Sequence, residues 1–187
     1  MEFRLAYRGQ LKPNGDVKHK QKLRRAFHPQ LRELWEQPPL KVVADKHPEF
    51  LRAAPSNISL VENVGGFQFV PLVNEHLKLI AQLDITLLRP GPPGVTKGGD
   101  IDNRLKTLLD ALRMPKENEL PSNDAPKDKE TPFFCLLEDD ALVTGLSVTT
   151  DRLLEPVNPA NPSEVILLIC VRVRGTSISY DNMPIIG

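Results

Sequence analysis

Leu77, Leu79, Ala81, Leu83, Ile85 and Leu87 fall at every second position of one stretch, with mostly polar residues between them. A period of two over this length describes a strand with one face buried and the other half-solvated, so the rest of the chain must supply an apolar layer to cover that face. Two other segments carry strand signatures. Phe3, Leu5 and Tyr7 alternate with Arg4, Ala6 and Arg8 in a strand running from Phe3 to Leu11 and ending at a Pro13-Asn14-Gly15 turn. Val165 to Val173 has the β-branched and apolar density of a buried strand.

Two helices are predicted to provide the covering layer. From about Lys20 to Glu36, Leu23, Phe27, Leu31, Leu34 and Trp35 recur at helical spacing, with Phe27 and Trp35 as core anchors and Pro29 expected to break or restart the helix. After Asp100-Ile101-Asp102-Asn103, the residues Leu105, Leu108, Leu109 and Leu112 stand at i, i+3, i+4 and i+7, which makes one apolar stripe ending by Pro115. Strands mixed with two main helices and no internal repeat predict one compact α/β (α+β) domain with a mixed sheet over residues 1–187.

Proline and glycine punctuate the remainder. Residues 37–66 read as a loop-rich connection with a short helix near Glu49 to Ala53. The segment RPGPPGVTKGG, residues 89–99, stops the long strand. Residues 113–132 read as a polar insertion, and PKENELPSNDAPKDKETP within it, with four prolines and almost no apolar side chain, is expected to be mobile at the surface. Order returns at Phe133, a strand-like stretch takes in Leu142 to Val148, and the tail from Gly175 is expected to be peripheral.

The overall charge rules out one class. With 24 Lys+Arg against 24 Asp+Glu among 187 residues, the chain lacks the uniform basicity of a simple nucleic-acid coat protein. The charge is distributed unevenly: residues 1–52 hold 12 basic against 6 acidic side chains, and residues 100–140 hold 6 against 11. Cys135 and Cys170 are far apart with no Cys or His cluster near either, which supports neither a disulfide framework nor a zinc site. His19, His28, His47 and His76 are scattered and read as ordinary surface or core residues. Charges at Glu2, Arg4 and Arg8 interrupt any secretion signal, and the longest apolar run, Val165 to Val171, is far short of the roughly 20 residues of a membrane span. A soluble cytoplasmic protein is the expectation.

The acids concentrate at GGDIDN, residues 98–103, and EDD, residues 138–140, both at junctions between a loop and a regular element. Carboxylates so placed can converge on a hard cation such as Mg²⁺, which takes a few side-chain oxygens and keeps waters. Lys106 lies one helical turn after Asp102, placed to orient a water or offset phosphate charge. Each feature also has a plainer reading. An aspartate here can cap the helix, Asp102 and Lys106 can form a surface pair worth about 0.3 to 0.5 kcal/mol, and EDD can be a solvated strand edge.

Taken together, GDIDNRLKTLLDAL followed by DDALV resembles the RusA-type Holliday junction resolvases, whose D-x-D-N-x-x-K-x-x-x-D-A-L helix start precedes a D-D-x-x-V strand start. Asp100, Asp102, Asn103, Lys106, Asp110, Ala111 and Leu112 fill the first pattern, and Asp139, Asp140 and Val143 the second. The matching core covers about residues 67–174, preceded by the basic strand and helix of residues 1–37. Two features depart from the pattern: residues 113–134 interpose the polar insertion, and Gly99 stands where a basic residue commonly precedes the first aspartate, with Lys97 as a substitute.

The resemblance implies a homodimeric, Mg²⁺- or Mn²⁺-dependent endonuclease that hydrolyses phosphodiester bonds in Holliday junctions or related branched DNA, in recombination and repair. It implies Asp100, Asp102 and Asp140 as metal ligands, Asp139 as a supporting carboxylate and Lys106 as a catalytic or phosphate-contacting residue. DNA affinity must come from basic side chains, for which Lys18, Lys20, Lys22, Arg24, Arg25, Lys97 and Arg104 are the candidates. The alternative is a non-catalytic DNA-binding or dimeric interaction module on the same scaffold.

Overall fold

A computed structural model describes residues 1–53, 59–90, 101–157, 161 and 163–186. Strand β1 (Glu2–Gln10) leads into helix α1 (Val17–Trp35), then helix α2 (Leu40–Lys46) and a 3-10 turn at Pro48–Leu51. Strands β2 (Glu62–Val64), β3 (Phe67–Val73) and β4 (Leu79–Arg89) precede helix α3 (Ile101–Leu112). Strand β5 (Phe133–Leu137), a 3-10 turn at Asp140–Leu142, strands β6 (Val143–Arg152) and β7 (Glu164–Gly175) and a last turn of helix, α4 (Met183–Ile186), complete the order.

The strands form two sheets, one of four strands in the order β1-β7-β4-β6 and one of three in the order β2-β3-β5. In the larger sheet β7 runs antiparallel to β1 and β4, whereas β6 runs parallel to β4. Parallel neighbours need a crossover, and the chain from β4 to β6 supplies it through α3. The alternation of β4 has its predicted meaning: Leu79, Ala81, Leu83, Ile85 and Leu87 are buried, and the residues between them are half-buried.

One buried cluster joins Leu5, Leu83, Ile85, Ile169 and Val171 of this sheet to Leu23, Phe27, Leu31 and Trp35 of α1 and to Leu108, Ala111 and Leu112 of α3. The two helices are therefore the covering layer. A smaller cluster of Phe67, Phe69, Phe133 and Cys135 packs on the three-stranded sheet. Among the described residues no helix is long and apolar enough to cross a membrane.

Helix α1 starts where Asp16 accepts a hydrogen bond from the His19 N–H at 2.8 Å, a cap worth about 1 kcal/mol. Contrary to expectation, Pro29 does not interrupt it. Pro29 is exposed, so its ring points away from the packed face, and Leu31 and Trp35 continue the buried stripe beyond it. One residue on, Gln30 closes the edge of the sheet: its carboxamide accepts from the Ala6 N–H and donates to the Ala6 carbonyl, both at 2.9 Å.

Three further expectations are corrected. The connection after α1 contains α2 as well as the short turn, with Leu40, Val43 and Phe50 buried in the core. The tail is anchored, since Ile185 is buried and Asn182 donates to Leu77 O at 2.9 Å. Residues 113–132 are pinned down instead of mobile. Arg25 bonds Glu130 and Asp124, Arg113 bonds Glu119, and His28 Nε2 meets Lys129 O at 2.9 Å. A segment with little apolar content, here Met114 and Leu120 against the phenylalanine cluster, can be held largely by charge when its partners are partly buried and geometrically matched.

Candidate active site

Helix α3 begins beside the start of α1, where the Asn14 N–H donates to Asn103 O at 3.3 Å and the Gly15 N–H to Thr107 Oγ1 at 2.9 Å. Its buried stripe, Leu108, Ala111 and Leu112, fixes the rotation of the helix, so Asp102 and Lys106 share an exposed face one turn apart. Asp102 lies in the first turn, where the helix dipole favours a negative charge. Asp100 and Lys97 lie outside the described residues.

The second acidic block follows β5. Asp139 caps the 3-10 turn, accepting from the Ala141 N–H at 2.9 Å, and this bond holds its carboxyl below the usual range. Asp140 is exposed at the first position of that turn. Glu138, beside them, accepts from the Glu75 N–H at 2.8 Å and ties the turn to the loop between β3 and β4.

Among the described residues, Asp102 of the first block and the second block lie toward opposite ends of α3. The far end of α3 abuts β5, because the Met114 N–H donates to Leu137 O at 2.8 Å and Arg113 bridges to Leu137. Arg113 and Lys116 act electrostatically on Asp139. Asp102 stands at the opposite end of α3, about 17 Å from Arg113 along the helix axis at a rise of 1.5 Å per residue. Among the described residues no group of three or more His, Cys, Asp or Glu is gathered to hold a metal ion.

The candidate basic residues divide sharply. Arg24 is 1% exposed and donates to Asp110 O at 2.8 Å, and burial draws its guanidinium down to about 10. Arg104 is fully buried and donates to Leu11 O, with its guanidinium lowered by burial and then by the charge of Arg89. Lys20 pairs with Asp110 at 2.7 Å, and Arg25 forks onto Glu130 at 2.9 Å and Asp124 at 3.0 Å. These four side chains brace the interior and cannot also form an open DNA-binding surface. Lys18 and Lys22 are exposed.

The residues sequence reasoning missed are the acids that hold these cations. Asp110 receives both Lys20 and Arg113, the latter at 3.1 Å, and Arg113 reaches Glu119 at 2.7 Å. Burial would raise the Glu119 carboxyl, but the Arg113 fork and the Lys116 N–H outweigh it and hold the group at about 2. The one available signal was the Asp110–Arg113 spacing of three on a helix whose other face is apolar.

Comparison with known proteins finds no matching family model, no matching curated protein and no matching solved structure.

Proposed function

We propose that this protein is a metal-dependent endonuclease that hydrolyses phosphodiester bonds in branched DNA, Holliday junctions foremost, and that it acts as a homodimer. The observation that carries the reading is the exposure of Asp102 and Asp140 at loop–element junctions, with Lys106 exposed one turn after Asp102 on a helix whose Arg104 is turned inward. Asp102 and Asp140 offer hard oxygen donors of the kind Mg²⁺ or Mn²⁺ takes, and Asp100 and Asp139 complete the proposed set. When bound, such an ion lowers the pKa of a water and neutralises a phosphoryl oxygen. Lys106, one turn from Asp102, contributes a fixed positive charge against the charge that develops on the phosphate. Asp139, through its bond to the Ala141 N–H, positions the turn that presents Asp140.

Two copies can supply what one chain separates. Among the described residues, strand β6 is an edge paired only with β4, it contains neither Pro nor Lys, and Leu146 on it is 46% exposed. Its start follows the 3-10 turn that Asp140 opens. Its last residue, Arg152, pairs with Arg89, whose charge reaches Arg104 next to the Asp102 end of α3. Antiparallel pairing of β6 with β6 of a second copy sets the Asp140 end of each protomer beside the Asp102 end of the other. A twofold pair of sites suits a four-way junction.

Incubation of the protein with a four-way junction and Mg²⁺ or Mn²⁺ tests the activity. Paired incisions are expected, with Asp102→Asn and Asp140→Asn each abolishing them while the circular dichroism spectrum is unchanged. Intact junctions under both ions, with DNA binding indifferent to metal, would leave only the non-catalytic module.

A further inference from the structure

Helix α1 and the segment 121–127 enclose a groove of about 490 Å³ that the acidic residues do not border, apart from Asp124. One wall is a helical stripe, Lys18, Gln21, Lys22 and Arg25, at i, i+3, i+4 and i+7, and Lys127 stands on the other. Arg25 and Asp124 neutralise one another across it at 3.0 Å. The remaining charges are the ammonium groups of Lys18, Lys22 and Lys127, all exposed and, among the described residues, none paired with a carboxylate. Beneath this wall Gln21 is 1% exposed: its Oε1 accepts from the buried Arg24 at 3.4 Å, and its Nε2 has no hydrogen-bond partner. A buried amide donor without an acceptor is uncommon in a protein interior, because leaving it unmatched costs about 1 to 3 kcal/mol.

Three unpaired ammonium groups around one concavity call for an anion with several oxygens. The groove contains no aromatic side chain, so it has no platform on which a base could stack. Its size is that of a small-molecule site, too narrow for a duplex. We infer that this groove binds the phosphodiester backbone of a single DNA strand, holding it by charge without reading its bases. The inference rests on the nucleic-acid reading above and adds a place for the strand. The groove opens along the flank of α1, whose first turn lies against the Asp102 end of α3, so a strand leaving a branch point at that end can follow the helix into it.

The test is binding of fluorescein-labelled dT and dA oligonucleotides to the full chain in EDTA over a range of salt, with inorganic phosphate and AMP as competitors. Each ammonium–phosphate contact on a single strand contributes about −0.7 to the slope of log affinity against log salt. The triple variant Lys18→Ala, Lys22→Ala, Lys127→Ala should flatten the slope by about 2 and weaken dT and dA binding alike by at least tenfold at low salt, with its melting temperature unchanged. An unaltered slope in the triple variant overturns the inference even if the junction is cut. A flattened slope supports it even if no incision is ever seen, which separates it from the nuclease reading. Competition by phosphate or AMP at concentrations equal to those of oligonucleotide phosphate would overturn the strand assignment in favour of a free phosphate compound.

Discussion

His28 shows how one side chain can serve two elements at once. Its Nδ1 accepts from the Phe134 N–H and its Nε2 donates to Lys129 O, both at 2.9 Å, and the ring stacks on Phe133 at 4.5 Å. Only the neutral imidazole with its proton on Nε2 can make both bonds. Burial lowers its pKa below the usual 6.5, so the unfolded chain protonates first, and the stability this group confers is complete above 6.5 and declines as pH falls below it. Glu119 acts later in the same direction: its carboxyl moves from 4.5 to about 2, and its contribution, present above 4.5, is lost between those values on acidification. Acid titration followed by circular dichroism should therefore show stability falling in two stages. In Glu119→Gln the second stage should shrink and stability near neutral pH should drop. A single stage unchanged by that substitution would show that Arg113 does not hold the carboxylate. Arg24 makes a contrasting case, because it is buried with its Nε unpaired. Arg24→Met keeps the volume and removes a buried charge, so its melting temperature should lie well above that of Arg24→Ala, which also leaves a cavity.

At the scale of elements, the segment 113–132 is where sequence reasoning and structure diverge most. The strands β1, β4 and β7 and the stripes of α1 and α3 were legible because periodicity reports directly which face is buried. The segment has no such period. Its order comes from Arg25, Arg32 and His28 on α1, partners separated from it in sequence and brought near only by packing, and from its own Arg113, which reaches Glu119 within the segment. For the same reason Lys20, Arg24 and Arg25 stood among the DNA-binding candidates: a count of charges cannot tell a cation aimed outward from one aimed at Asp110 or Glu130. Removing the guanidinium of Arg25 leaves Glu130, 7% exposed, without its main counter-charge. Arg25→Ala should cost about 3 kcal/mol or more by the usual penalty for breaking a buried pair, and limited proteolysis should then cut within residues 116–130. Arg25→Lys should restore little, since an ammonium cannot reproduce the fork onto Glu130 and Asp124. Protection of the segment in Arg25→Ala equal to wild type would mean that the backbone, not the fork, holds it.

At the scale of the molecule, the acidic blocks were legible as sequence patterns and illegible as geometry. The sequence brings Asp102 and Asp140 within 38 positions of each other, yet the crossover carries them to opposite ends of α3, a separation set by the parallel pairing of β4 with β6. If the two blocks cooperate across a dimer, mixing Asp102→Asn with Asp140→Asn should recover incision, because each mixed dimer keeps one intact pair. With random pairing, about a quarter of the wild-type sites return. Two inactive proteins that stay inactive when mixed and refolded together would place both acids of a site in one chain. A charge in the middle of the edge, Leu146→Lys, should shift the protein to monomer in sedimentation and abolish incision together.

The Gln30 carboxamide has a consequence at this last scale. By occupying the Ala6 backbone groups, it plugs the middle of the outer edge of β1. A further strand laid along that edge would meet the carboxamide at the centre of its ladder, so growth of the larger sheet past β1 is opposed there.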